Sequence, residues 1–456
     1  MKKSYEMDMC SGPILSKVLA YSLPLMLSGV LQLLFNAADV IVVGRFAGSQ
    51  SLAAVGSTTA LINLLINLFI GLSIGANVMV ARYYGAKKEK DISETIHTAI
   101  TVSLVSGAGL ILLGFFTARF WLTLMGTPED VIDKSVIYMK IFFAGMPALM
   151  AYNFGSAVLR AVGDTRRPLY FLTTAGVFNV ILNLFFVIQL RMDVAGVALA
   201  TVLSQCISAG LVLRCLMCSE GALQLHLSEL KISGNKLKQI LQVGLPAGIQ
   251  GTIFSLSNVL IQSSVNSFGS VVMAGNTASQ NIEGFVYTSM NALYQTNLSF
   301  TSQNMGAAKY SRIPKILLMC QGTVIAVGML LGFGVVAGGQ SLLGIYSSDA
   351  EVISYGYLRL STICLTYFLC GIMDTMVGSM RGMGYSMLPT LVSLTGACGL
   401  RVIWIFTIFA WKRSLLILYL SYPVSWTVTA LAHMICYRRA CRKLPKEDGV
   451  LPAYQN

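Results

Sequence analysis

The chain has 456 residues, of which 55% are hydrophobic and 11% charged, with a mean hydropathy of +0.70. Soluble domains carry about 25% charged residues, so a water-soluble globular protein is excluded. Runs without Asp, Glu, Lys or Arg, such as Phe46–Ala81, Thr95–Ala118, Leu169–Leu190 and Ser414–Tyr437, each exceed the roughly 20 residues that cross a bilayer, and the lack of period-two alternation excludes an outer-membrane barrel.

In chain order, breaks rich in charge, glycine or proline leave twelve predicted membrane helices: 14–43, 51–80, 93–118, 132–158, 168–190, 194–216, 237–266, 271–303, 314–339, 352–380, 387–410 and 415–437. The fold class read from this pattern is an all-α polytopic membrane protein. Residues 1–13 are polar and mixed in charge, and no cleavable signal sequence is expected. The net charge of +13 is read as topology rather than as a nucleic-acid surface, and no nucleic-acid partner is expected. If successive connections alternate between sides, 23 Lys and Arg fall on the side of the termini and six on the other, with Lys140, Arg359 and Arg401 inside helices. Such an excess places both termini in the cytoplasm and the protein in the plasma (inner) membrane.

The chain repeats itself. Arg160, Gly163 and Pro168 recur as Arg381, Gly384 and Pro389, and Gly85-Ala86 as Gly306-Ala307, all displaced by 221 residues; Leu23-Pro24 recurs as Leu245-Pro246 and Asn36 as Asn258, displaced by 222. Six spans per half is an even number, so the halves enter the membrane from the same side and form parallel repeats. The expected organisation is an N-terminal six-helix lobe at 1–218, a polar cytoplasmic linker at 219–238 and a C-terminal six-helix lobe at 239–456.

Three segments carry a family resemblance: Asn36-Ala37-Ala38-Asp39-Val40-Ile41-Val42-Val43-Gly44, Arg160-Ala161-Val162-Gly163-Asp164-Thr165, and Gln303-Asn304-Met305-Gly306-Ala307. Together with the duplicated pattern they resemble multidrug and toxic compound extrusion (MATE) transporters over essentially the whole chain. The resemblance implies a secondary-active antiporter exporting bulky amphipathic, often cationic compounds in exchange for H⁺ or Na⁺. An alternative within the same superfamily is a flippase or exporter of lipid-linked or polysaccharide precursors, which should show a cationic cavity.

Ionisable groups at membrane depth are costly and mark function. Asp39 shares a face of the first helix with Gln32 and Asn36, seven and three residues before it, and the resemblance assigns a first-helix acid to proton or cation coupling, with Na⁺ binding at Asp39 as one form. Asn179 and Asn183, at i and i+4 on the fifth helix, and Thr201 on the sixth are candidate neighbours, either as site members or as packing amides. The family pattern often has an acid at the position of Asn183, so this chain departs there. In the second half, Glu283 and Asp374 read either as cation or substrate-charge groups or as interhelical hydrogen bonders; nothing on the helix of Glu283 neutralises it. Asp374 occupies the repeat position of Asn153, which with Gln32, Asn36 and Arg401 is assigned to the substrate cavity. Pro24 and Pro246, at equivalent places, read as hinges or static kinks.

Other chemistries find no support. The chain has no phosphate-binding loop, and its three histidines, His97, His226 and His433, are dispersed. An enzyme is not expected, nor any cofactor beyond H⁺ or Na⁺ as coupling ion. The expected partners are small amphipathic molecules and membrane lipid, and the expected state is a monomer.

Overall fold

A computed structural model describes residues 5–445 and 447–449. They form twelve long helices: α1 Ile14–Ala47, α2 Ser49–Gly85, α3 Glu89–Leu124, α4 Glu129–Ala161, α5 Arg166–Gln189, α6 Asp193–Met217, α7 Gly234–Asn266, α8 Ser270–Gly306, α9 Ile313–Ala337, α10 Ala350–Gly382, α11 Met387–Phe409 and α12 Leu415–Cys441. A short helix, Gly339–Gly344, joins α9 to α10. No strand occurs among the described residues. The expected all-α membrane fold is present, with boundaries a few residues wider than the apolar runs, because polar residues extend the helix ends. Glu89 and Asp91 lie in the first turn of α3, and Asp349 accepts a hydrogen bond from the Glu351 backbone N–H at the start of α10; acids at these ends satisfy free N–H groups and the helix dipole.

Two helices read from the sequence as straight are broken. α4 bends by 47° at Gly145, where Pro147 cannot continue the hydrogen-bond ladder, and α10 bends by 43° between Cys364 and Tyr367. Eleven of the twelve, counting each bent pair as one span, are long and apolar enough to cross a membrane. The twelfth, α8, is as long as α2 at 37 residues, but 17 of its residues are Ser, Thr, Asn or Gln, and every residue from Thr296 to Gly306 is buried in protein. A helix this polar is tolerated in lipid only when other helices cover it.

The duplication is written in the backbone. Gly48 and Gly269 have φ of 87° and 99°, Gly163 and Gly384 of 97° and 100°, and Lys87 and Ala308 of 55° and 53°; each pair is 221 residues apart. At Gly163 the requirement is double, because a Cβ would also lie 2.5 Å from the Met7 nitrogen.

By contacts the described chain divides into two compact units, one of residues 1–7 and 30–248 and one of residues 8–29 and 249–456. The first unit therefore contains residues 239–248 of α7, and the second contains residues 8–29. In the first unit, α2 and α7 meet backbone to backbone: a Cβ on Gly71 would lie 2.2 Å from the Gly248 nitrogen, and one on Gly75 2.2 Å from the Ile240 carbonyl oxygen. Two glycines four residues apart on each helix make this approach. In the second unit the core includes Tyr419, Leu418, Met373 and Ala397, fully or almost fully buried.

Candidate functional site

In the first unit, α1 and α5 bring Asp39 to Asn183. Asp39 lies eight residues before the end of α1, about 12 Å along the axis, and is half-buried. The Asn183 amide nitrogen donates to Asp39 Oδ1. Asn183 and Asn179 are both buried on one face of α5, and the amide oxygen of each is enclosed with no hydrogen-bond partner. Buried amide oxygens are ordinarily satisfied, so the oxygen of the Asn183 amide that holds Asp39 is an acceptor with no donor among the described residues. Thr201 turns its hydroxyl hydrogen to the Val197 carbonyl of its own helix at 3.0 Å, leaving its oxygen lone pairs as further acceptors. Gln32 and Asn36 stay exposed along α1.

The second unit holds a different arrangement. Glu283 of α8 and Arg359 of α10 form a bidentate pair, Nε to Oε1 and Nη2 to Oε2 both at 2.8 Å, with both side chains buried. Arg359 Nη1 donates to Asn276 Oδ1 at 2.9 Å, Asn276 donates to Gln262 Oε1 at 2.9 Å, and the guanidinium lies over the rings of Tyr419 and Tyr422. This network ties α7, α8, α10 and α12. Although no residue of its own helix neutralises Glu283, a neighbouring helix does.

Asp374 takes no part in that pair. It accepts from the Cys370 thiol at 3.9 Å, a weak donor. Arg401, for which the sequence offers no partner, gives its Nε hydrogen to Ser425 Oγ at 2.9 Å and lies 4.2 Å from the Tyr422 ring centroid and 5.6 Å from that of Trp426; ring faces offset part of the cost of burying the charge. Asn153 donates to the Leu149 carbonyl of its own helix at 2.9 Å. Pro24 and Pro246 lie inside continuous helices. Sequence reasoning missed Arg359 as a site-forming residue. The signal was present: a lone Arg in a membrane helix has to meet an acid or water, and Glu283 was an acid without a neutraliser.

A twelve-helix membrane protein built from two repeats, with an acid held by an amide between its first and fifth helices, has the architecture of a membrane carrier. The MatE family profile matches residues 24–185 and again 246–407, and the chain belongs to this family, the MATE transporters. Among known proteins it is similar to the probable multidrug resistance protein YoeA of Bacillus subtilis, 27% identical over 419 residues covering 90% of each chain. It is also similar to the FAD transporter of Shewanella oneidensis, 24% identical over 76% of this chain and 77% of that one. Among solved structures, an outward-facing multidrug resistance transporter of the MATE family matches with a TM-score of 0.91 at 20% identity, over 98% of this chain and 100% of its own. That likeness carries the fold.

Proposed function

We propose that this transporter is a secondary-active exporter of amphipathic, often cationic compounds, exchanging them for H⁺ or Na⁺ across the plasma (inner) membrane with both termini on the cytoplasmic side. Asp39 is the coupling acid, assisted by Asn179, Asn183 and Thr201. The observation that carries this reading is the contact of Asp39 with Asn183, whose amide oxygen has no partner in the protein: a carboxylate and an amide oxygen suit a hard monovalent cation, and a proton on Asp39 would discharge the same group. Cargo and ion then compete through one charge, as exchange requires. Multidrug resistance relatives support the cargo class.

The test is transport in proteoliposomes under an imposed pH gradient and, separately, an imposed Na⁺ gradient. Asp39→Asn preserves the acceptor that Asn183 uses and nearly the same volume, so the fold should survive. Gradient-driven export should fall by at least tenfold, while cargo binding persists and loses its dependence on the coupling ion. Wild-type export by Asp39→Asn, with loss in Asp374→Asn, would move coupling to the second unit.

A second reading concerns cargo charge. Arg401 and Arg381 give their hydrogen bonds to neutral partners, Ser425 for Arg401 and Tyr294, Gln250 and Thr390 for Arg381, and one relative is named a FAD transporter. An anionic aromatic cargo would suit such bases. Competition between a lipophilic cation and FAD in the same vesicles separates the two readings.

A further inference from the structure

The connection between α6 and α7 is not a loose tether. Leu223 and Leu225 are buried, and the Leu225 backbone N–H bonds to the Leu216 carbonyl at 3.1 Å. The chain then crosses the start of α3. There His97, only 3% exposed, receives the backbone N–H of His226 on Nε2 at 3.0 Å and sets Nδ1 2.7 Å from the Ser93 carbonyl oxygen. Further on, the Ser233 N–H bonds to Thr98 Oγ1 at 3.1 Å, and Lys236 pairs with Asp91. The rings of His97 and His226 lie parallel, 6.3 Å apart.

These two bonds fix the protonation of His97. A nitrogen that accepts from an N–H carries no hydrogen, and one that faces a carbonyl must carry one. The docked linker is therefore compatible with the neutral imidazole protonated on Nδ1. A second proton would set two N–H groups against each other at 3.0 Å and leave the His226 N–H without an acceptor. Glu229 Oε2, 3.9 Å from Nε2 and largely exposed, stands ready to take the new hydrogen in its place. The groups that face His97 across the adjoining cavity of about 480 Å³ are Lys90 and Glu94 on its own helix and Glu229, Lys231 and the parallel ring of His226 on the linker; α2 and α4, also packed on α3, supply no residue to its lining.

We propose that His97 is a pH-sensitive latch for the linker: neutral, it clasps the His226 backbone; protonated, it exchanges that contact for Glu229 and frees the segment around residues 224–231. The latch is separate from the proposed coupling at Asp39, and its readout needs no transport. Hydrogen exchange on the full-length protein in detergent, corrected for the intrinsic pH dependence of exchange, should show the amides of 224–231 opening about five- to tenfold more readily at pH 5.5 than at pH 7.5, the fold-change of one lost hydrogen bond. His97→Gln, whose amide oxygen can accept from the same N–H but does not titrate, should stay protected at both pH values, whereas His226→Gln keeps the backbone donor and should retain the wild-type response. If the glutamine variant at 97 fails to fold, nitrogen NMR of histidine-labelled wild-type protein serves instead, with His97 expected as the Nδ1–H tautomer at pH 7.5 and as imidazolium when the linker opens. Unchanged linker protection between the two pH values, an equal response in His97→Gln, or an Nε2–H tautomer at pH 7.5 would each overturn the latch.

Discussion

Asp39 and Glu283 are both carboxyl groups within membrane-spanning helices, and their surroundings differ in kind. Asp39 has one neutral amide donor and unfilled acceptors beside it; Glu283 has a guanidinium gripping both oxygens. In the first the carboxyl meets a neutral amide, and in the second it is matched by a full opposite charge. Glu283 therefore acts as a strut, and its loss should appear in stability. Removing one partner of a buried pair leaves the other charge uncompensated, at a cost of about 3–5 kcal/mol, whereas replacing both with apolar residues is far milder. Glu283→Gln and Arg359→Gln should each lower the unfolding temperature in detergent strongly, and Glu283→Leu with Arg359→Met should recover most of it. Equal losses in the single and double variants would refute the strut. The contact of Asp39 with Asn183 was legible because two short spacings, Asn179 to Asn183 and Asn36 to Asp39, each define a face. The Glu283–Arg359 pair was not, because 76 residues and two helices separate the partners, and neither periodicity states which helix it faces.

At the scale of elements, apolar runs marked the helices well, since a bilayer imposes their length. The bends escaped notice for the complementary reason: in lipid a break costs nothing visible in hydropathy, and only Pro147 hinted at one. The contact of α2 with α7 was equally hidden, although its glycines were in plain view, because a glycine pair is informative only once its partner helix is known. Gly71 and Gly248 leave no room for a side chain. Gly71→Leu or Gly248→Leu should force the backbones apart, cost about 1–3 kcal/mol or more, and show as earlier thermal unfolding. Gly109→Leu on α3, where a Cβ meets nothing within 4 Å, is the matched control and should be nearly silent.

For the whole molecule, orientation rests on the excess of 23 basic residues over six, and thiol labelling tests it. Burial pushes the Cys10 thiol up to about 11, with nearby Asp8 adding to the effect, so little thiolate forms at neutral pH and alkylation there is slow. Cys218, exposed just beyond α6, is the better reporter. A membrane-impermeant maleimide should leave it unlabelled in intact cells and label it after permeabilisation; labelling from outside would invert the topology. The glycine seam also bears on what counts as half of this protein. A fragment of residues 1–218 lacks the α7 segment that covers Gly71 and Gly75, while residues 1–250 retain it; in detergent the shorter fragment should be degraded by trypsin within its membrane helices, and the longer one should resist. Comparable resistance would dismiss the seam as a boundary. Seen through its ancestry, a solitary repeat would have come with the wrong opening half-helix for its own core and would have had to trade it with a sister copy. A recombination event that swapped one repeat for a foreign one would have to bring a matching pair of glycines with it.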